Sequence, residues 1–199
     1  RHSFPTRRSS DLAKGENRLP NQEGYIYQSL DITDNQQVNE VFANYKPQIV
    51  IHTAAMTNVD TCESDLEGCE HLNVKAVEYI VQACEKQGSF LCHLSTDFIF
   101  DGADGPYDEE AKPNPISIYG ESKLKAEQII QASSIRWAIS RTVLVFGIVP
   151  DMSRTNIILW VKKSLEEGKQ INVVTDQFRT PTLAEDLAIG CWLIAQKEA

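Results

Sequence analysis

Residues 25–54 read YIYQSLDITDNQQVNEVFANYKPQIVIHTA, and this stretch decides the fold. Its short apolar segments, 25–30 and 48–54, flank an amphipathic segment, 34–45. Such alternation predicts a strand, a helix entered through an Asp or Thr cap, and a second strand. The second strand contains three consecutive apolar residues, 49–51, so we expect a parallel strand covered by helices on both faces.

The same alternation continues along the chain and predicts a series of βαβ units. The predicted helices are 65–87, 117–132, 155–167 and one opening at 182–185, and the predicted strands are 89–95, 137–145 and 171–174. Gly88 is suited to the left-handed turn that ends a helix. The series predicts an α/β protein with a doubly wound parallel sheet.

Composition limits the classes of function. With 199 residues, 42% of them hydrophobic, the chain can bury one core, and its net charge of -9 argues against nucleic acid as a partner. No apolar run approaches the roughly 20 residues that span a bilayer. The five cysteines form no CxxC pair and the histidines are scattered among them, so we expect reduced thiols, a cytoplasmic location and no metal site.

Residues 1–12 differ from the rest of the chain. This segment, RHSFPTRRSSDL, has three arginines and one aspartate, whereas the following residues are acidic and regularly patterned. It resembles the translation of a sequencing adapter, and we expect it to be non-native; a basic disordered terminus is the alternative. It lacks the apolar core of a signal peptide.

A glycine-rich turn is expected after the first strand of a nucleotide-binding sheet, where backbone N–H groups hold a pyrophosphate. The sequence has no such turn. We therefore expect a Rossmann-like fold that lacks its first strand and glycine-rich turn.

Tyr119 and Lys123 form a YxxxK pair on a predicted helix, so both side chains project from one face. A nearby ammonium favours the phenolate, and we expect Lys123 to lower the pKa of Tyr119. The tyrosine could then exchange a proton with a carbonyl or hydroxyl while a nicotinamide exchanges hydride.

Ser95, Thr96 and Asp97 end the strand that precedes this helix, and parallel sheets bind ligands at that edge. Their hydroxyls could polarise a carbonyl. An ordinary strand-end turn held by side-chain hydrogen bonds is an equally good explanation.

Several motifs in a fixed order resemble the dTDP-4-dehydrorhamnose reductase group of the extended short-chain dehydrogenases. They are LSTDFIFDG (94–102), GPY (105–107), PNP (113–115), YGESKL (119–124), HTAAMTNVD (52–60), Asn73-Val74, DQFRTPT (176–182) and Asp186-Leu187-Ala188. The resemblance covers residues 31 to about 188. It implies that residues 13–199 form a partial NAD(P)-binding Rossmann-like domain with the start of a substrate-binding region.

The resemblance also implies roles for individual residues. Tyr119 would donate the proton, Lys123 would hold the nicotinamide ribose, and Thr96 would bind the sugar carbonyl. The other residues implied at the cofactor are Asp31, Ile32, Ala54, Ala55, Thr57 and Ser95. Asp97, Phe98 and Leu144 are implied at the substrate. Tight packing explains the two alanines equally well.

Two positions depart from the family pattern: Phe98 replaces a usual tyrosine, and Leu144 replaces the tryptophan of rhamnose-forming members. The leading hypothesis is an NAD(P)H-dependent reductase of a nucleotide-linked 4-keto deoxysugar, in a chain too short to be active by itself. The alternatives are a non-catalytic regulatory subunit like that of methionine adenosyltransferase, which Leu144 suits slightly better, and a nucleotide-sugar epimerase or dehydrogenase.

The cofactor could be NADP(H) or NAD(H). Lys14 and Arg18 favour the extra phosphate of NADP(H), whereas Glu16 favours NAD(H). The expected partner is a nucleotide-sugar substrate, and a homodimer is compatible with the resemblance.

Overall fold

The computed structural model describes residues 7–11, 24–147 and 157–197. Its strands are β1 (Arg7–Asp11), β2 (Tyr25–Ser29), β3 (Ile49–His52), β4 (Phe90–Thr96), β5 (Trp137–Thr142), β6 (Leu144–Phe146) and β7 (Pro181–Leu183). Its α-helices are α1 (Asn35–Tyr45), α2 (Val59–Ser64), α3 (Leu66–Glu70), α4 (Ala76–Gln87), α5 (Ile118–Ala132), α6 (Ile157–Glu166) and α7 (Ala184–Lys197). A π-helical turn (His71–Lys75) joins α3 to α4, and a 3₁₀ turn (Asp97–Ile99) follows β4.

Among the described residues, every strand pair is parallel, and the strands form three groups: β1–β2, β3–β4–β5 and β6–β7. Residues of β4 alternate between two apolar layers, as the period of a strand requires. Leu91 packs with α1, α4 and α5, whereas Phe90 and Cys92 pack against Cys191 of α7. Helices therefore cover both faces of the central sheet, and the predicted α/β class is confirmed.

Local signals fixed several boundaries correctly. The Asp34 carboxylate accepts hydrogen bonds from the backbone N–H groups of Gln36 and Gln37. Asp34 is therefore the N-cap of α1, and the helix begins at the predicted position. Gly88 ends α4 with a φ of 73°, in the left-handed region that favours glycine.

Other predictions need correction. The predicted strand 171–174 is wrong: no strand forms there, and Val173 and Val174 are exposed because no neighbouring strand pairs with them. The predicted strand 137–145 is two strands, β5 and β6, which pair with different partners. The helix predicted for 65–87 keeps its bounds but is not one continuous α-helix, since it consists of α3, the π-helical turn and α4. The short helix α2, which precedes it, was not predicted.

The expectation of full cover for β3 is also wrong in part. Ile51 is 39% exposed. Within the described ranges, β3 pairs only with β4, so its other edge carries no strand.

Residues 7–11 lie inside the segment expected to be non-native, yet they form β1 and pair in parallel with β2. No strand was predicted before Tyr25. The origin of residues 1–12 stays a prediction. The remaining residues of that segment, and Lys14, Glu16 and Arg18, lie outside the described ranges.

A buried ion pair fastens α5 to β5. The Arg141 guanidinium donates to both carboxylate oxygens of Glu127 at 3.1 and 2.8 Å, and it also donates to the Glu109 carbonyl at 3.0 Å. The Glu127 side chain is 1% exposed and that of Arg141 is 22% exposed. Removing one partner of such a pair leaves the other charge poorly solvated.

We expect Glu127→Ala to lower the free energy of unfolding by about 3 kcal/mol, the lower part of the range for broken buried pairs, since Arg141 keeps some solvent contact. Urea denaturation measures the change. The matched control is Glu70→Ala, which removes the exposed Glu70–Lys125 pair and should cost under about 1 kcal/mol. Equal losses in the two variants would contradict the structural role given to Glu127.

Candidate active site

The carboxyl end of β4 is shaped by Thr96. Its hydroxyl oxygen accepts a hydrogen bond from the Phe98 backbone N–H at 3.2 Å and lies 3.2 Å from a carboxylate oxygen of Asp97. This contact caps the 3₁₀ turn that carries Asp97 and Phe98. The predicted strand-end turn is therefore present, and it leaves Thr96 almost buried at 4% exposure.

Tyr119 lies in the first turn of α5, which begins where the Ser117 hydroxyl accepts from the Gly120 N–H at 3.1 Å. Its ring meets the Phe98 ring edge-on, with centroids 5.6 Å apart. Burial raises the pKa of Tyr119, and the nearby Thr96 side chain offsets only part of this rise. The predicted lowering of this pKa is therefore wrong for this structure, and the phenol keeps its proton at neutral pH.

Lys123 follows one turn later and is 3% exposed. Its ammonium donates to the Leu94 carbonyl at 2.8 Å and lies 3.0 Å from Nε2 of His93. Burial lowers the pKa of Lys123 to about 8, while the Glu127 carboxylate acts in the opposite direction. The lysine is thus held by β4, and no hydrogen bond to Tyr119 occurs among the described contacts.

Asn73 fixes the loop after β3. Its side chain accepts from the Met56 N–H at 2.7 Å, and it donates to the Met56 carbonyl at 3.0 Å and to the Ser122 hydroxyl at 2.9 Å. These contacts hold residues 54–57 beside α5. Ala54 and Ala55 are half-buried there, Ala54 packs against the main core, and Thr57 is exposed.

Asp31 and Ile32 lie elsewhere, directly after β2. Asp31 accepts from the Thr33 N–H at 2.9 Å and thereby closes a turn. Ile32 is 4% exposed and belongs to the main core, so its side chain is occupied by packing. The cofactor-binding role of both residues stays a prediction, as do the other roles implied by the resemblance.

Arg179, a motif residue to which the sequence assigned no role, reaches the site. Its guanidinium donates to Asp97 at 3.2 Å and lies 5.2 Å from the centre of the Phe98 ring. Leu144 is half-buried in β6 and pairs with Pro181, which brings the 176–182 segment towards β4. Asp97, Phe98 and Arg179 therefore form one wall beside Tyr119.

His52 and His93 were also missed as site residues, since their sequence pattern raised only the question of a metal site. Both are buried, and their Nδ1 atoms lie 3.0 Å apart. Only the register of β3 against β4, which pairs these two positions, could have revealed the contact. The part of the chain that the structure describes contains no group of three or more His, Cys, Asp or Glu side chains that could hold a metal.

All five cysteines lie within the described residues and are free and buried. Among the described helices, none is both long and apolar enough to cross a membrane.

The fold and the site define a class: a parallel α/β protein of the Rossmann-like type with a Tyr-Lys pair at the carboxyl end of a central strand. A family sequence profile narrows the class, since the RmlD substrate binding domain family matches residues 11–199. The chain belongs to that family.

Curated relatives and solved structures agree. The methionine adenosyltransferase 2 subunit beta of Bos taurus is 28% identical over 171 residues, covering 86% of this chain and 51% of the relative. The dTDP-4-dehydrorhamnose reductase of Aggregatibacter actinomycetemcomitans is 31% identical over 172 residues, covering 86% of this chain and 57% of the relative. This chain spans little more than half the length of these relatives.

The solved structure of dTDP-4-dehydrorhamnose reductase from Bacillus anthracis str. Ames, in complex with NADP, superposes with a TM-score of 0.80 at 31% identity. The superposition covers 89% of this chain and 64% of that structure. The predicted family is confirmed.

A close approach between α5 and the 3₁₀ turn depends on Gly120. A Cβ atom at this position would overlap the Phe98 carbonyl oxygen and lie 3.0 Å from Cβ of Pro115. We expect Gly120→Ala to destabilise the protein by about 1–3 kcal/mol through overpacking, as measured by urea denaturation.

Gly190→Ala is the matched control, because nothing lies within 4 Å of a Cβ there and the residue sits inside α7. It should stabilise by about 0.5–1 kcal/mol, the usual gain from replacing glycine in a helix. Effects of the same sign in the two variants would contradict the close approach.

The buried histidines predict a pH dependence. Burial lowers the pKa of His52 to about 3, with a further contribution from Lys123, and burial also lowers the pKa of His93. Because a histidine in the unfolded chain has a pKa of about 6.5, the unfolded state takes up protons first as the pH falls. The free energy of unfolding should therefore decrease from about pH 6.5 downward.

We expect His52→Gln to flatten this decrease between about pH 6.5 and pH 5 by about 1–2 kcal/mol, as measured by urea denaturation at a series of pH values. His71→Gln is the control because His71 is exposed. A pH profile of His52→Gln that parallels the wild type would show that His52 is not buried in its neutral form.

Proposed function

We propose that this chain carries the proton-transfer site of an NADP(H)-dependent reductase that acts on a nucleotide-linked 4-keto deoxysugar. One observation carries the proposal: a buried, protonated Tyr119 lies beside the Thr96 hydroxyl, with Lys123 one helical turn away. The phenol is an acid, and the neighbouring hydroxyl can bind the same carbonyl oxygen.

The donor set fits the nicotinamide end of such a cofactor. An ammonium has three N–H donors, and among the described contacts Lys123 uses two, on His93 and on Leu94. The third is available for a ribose hydroxyl. NADP(H) is preferred to NAD(H) in this proposal because a related reductase has been solved with NADP.

The bound nicotinamide would supply the hydride. The remaining steps fall to the protein. Thr96 would orient the substrate carbonyl by a hydrogen bond, and Tyr119 would deliver its phenolic proton to the carbonyl oxygen as that oxygen gains negative charge. The Lys123 ammonium would stabilise the phenolate that remains.

Substrate recognition would fall to the wall formed by Asp97, Phe98 and Arg179, with Leu144 nearby. An aromatic face beside a guanidinium can pack on a sugar ring and bind its polar groups. The relationship to dTDP-4-dehydrorhamnose reductases supports a keto sugar linked to a nucleotide.

The proposal also includes a cytoplasmic location and a homodimer. Free cysteines are typical of proteins in a reducing compartment such as the cytoplasm.

The second candidate is a regulatory subunit. The methionine adenosyltransferase 2 subunits beta match over the same 86% of the chain, and the aliphatic Leu144 suits that function. Such a subunit would need the fold and its surface, but not proton transfer by Tyr119.

The test uses the full-length protein that contains this chain. With NADPH and dTDP-4-dehydrorhamnose, we expect Tyr119→Phe to lower kcat by about 10²–10⁴-fold, the usual contribution of a general acid, because the phenol is the proton source. Loss of NADPH absorbance measures the rate.

Tyr79→Phe is the control, since Tyr79 is a partly buried residue of α4 that packs against the main core. It should keep the wild-type rate. A wild type that binds NADPH but reduces no keto sugar, and that co-purifies with a methionine adenosyltransferase, would replace the reductase proposal with the regulatory one.

A further inference from the structure

A continuous chain of buried polar contacts runs from Lys123 across two strands. The Lys123 ammonium lies 3.0 Å from Nε2 of His93, and Nδ1 of His93 lies 3.0 Å from Nδ1 of His52. Exposure is 3% for Lys123, 0% for His93 and 5% for His52. The two histidines occupy paired positions in the parallel register of β3 and β4, so the backbone ladder holds them together.

Hydrogen-bond chemistry determines which group donates and which accepts at each of these contacts. An ammonium can only donate, so Nε2 of His93 must accept. A neutral imidazole that accepts on one nitrogen donates from the other, so His93 carries its proton on Nδ1 and donates to Nδ1 of His52. His52 then carries its proton on Nε2, a buried atom that has no partner among the described residues.

The neutral form of both rings is consistent with their burial. The pKa values of His52 and His93 are lowered by burial and by the Lys123 charge. A second proton on either ring would place two donors face to face. The pair therefore acts as a fixed neutral acceptor directed at the lysine.

We propose that His93, oriented by His52, is the positioning residue that holds the Lys123 ammonium in the site. The proposal rests on the proposed function, because it assigns to Lys123 a role beside Tyr119 and the nicotinamide ribose. The Leu94 carbonyl supplies one acceptor and His93 supplies the second, so the ammonium is fixed from two directions. One N–H then remains for the ligand.

This role differs from that of a packing residue. If His93 served only to fill space, leucine would replace it well and a polar glutamine would be the worse substitute. As a positioning residue it needs an acceptor where Nε2 lies, and the Gln side-chain oxygen reaches a similar distance from the backbone. The two substitutions therefore give opposite expectations.

The first measurement needs no turnover. In protein labelled with ¹⁵N, NMR of the side chains should show His93 protonated on Nδ1 and His52 protonated on Nε2, with a slowly exchanging Lys123 ammonium. The ammonium signal should persist in His93→Gln and be lost in His93→Leu. The opposite tautomers, or an unchanged ammonium signal in His93→Leu, would overturn the proposal.

If His93→Leu does not fold, Lys123→Met serves as the second variant. Without the ammonium, nothing fixes the polarity of the histidine pair, and we expect both tautomers of His93 to be populated. A single unchanged tautomer in Lys123→Met would overturn the proposal.

Kinetics of the full-length protein complete the test. We expect His93→Leu to lower kcat/KM for NADPH oxidation by about 10–100-fold, a loss typical of removing a residue that orients a functional side chain, and His93→Gln to restore most of it. Equal losses in both variants would overturn the positioning role. A wild type without turnover but with the expected tautomers would overturn the reductase proposal alone.

Discussion

The close approach of helix α5 to the carboxyl end of strand β4 is the constraint on which the site depends. Tyr119, Lys123 and Glu127 are spaced four residues apart, so they form one stripe along the face of α5 turned to the sheet. Gly120 allows this approach because a larger residue would meet the Phe98 carbonyl. If α5 lay farther from the sheet, Tyr119 would become exposed, and Lys123 would at the same time lose its contacts with His93 and the Leu94 carbonyl.

Two buried charges on that stripe are satisfied in different ways. Glu127 meets the guanidinium of Arg141, an opposite charge. Among the described residues, the hydrogen-bond acceptors of Lys123 are neutral, an imidazole and a carbonyl, and burial lowers its pKa to about 8. Perturbed pKa values of this kind are common at functional sites.

The relatives of this chain include both reductases and subunits of an adenosyltransferase, and the chain resembles the two groups to a similar degree. Beside Tyr119, Phe98 and Arg179 contact each other, and Leu144 lies on the neighbouring strand pair. Function in such a fold depends on the chemistry of the site rather than on the fold itself.

By itself, the sequence determined the α/β class, the order of the main strands and helices, the Asp34 cap and the Tyr119–Lys123 pair. These features depend on residues close together in the sequence, and there the periodicity of apolar residues and the capping residues predict the local structure. Only the tertiary structure decided the contacts between distant segments. His52 contacts His93, which lies 41 residues away in the sequence, and Arg179 contacts Asp97, which lies 82 residues away. Residues 171–174 form no strand because no neighbouring strand pairs with them.

The direction of the Tyr119 pKa shift was also decided only by the tertiary structure. From the sequence, the neighbouring ammonium was expected to dominate, but in the folded protein burial is the largest cause and it acts the other way. Burial is set by the packing of α5 on β4 and on the 3₁₀ turn. A local pattern can therefore indicate candidate residues, whereas their ionisation depends on how much water the fold leaves around them.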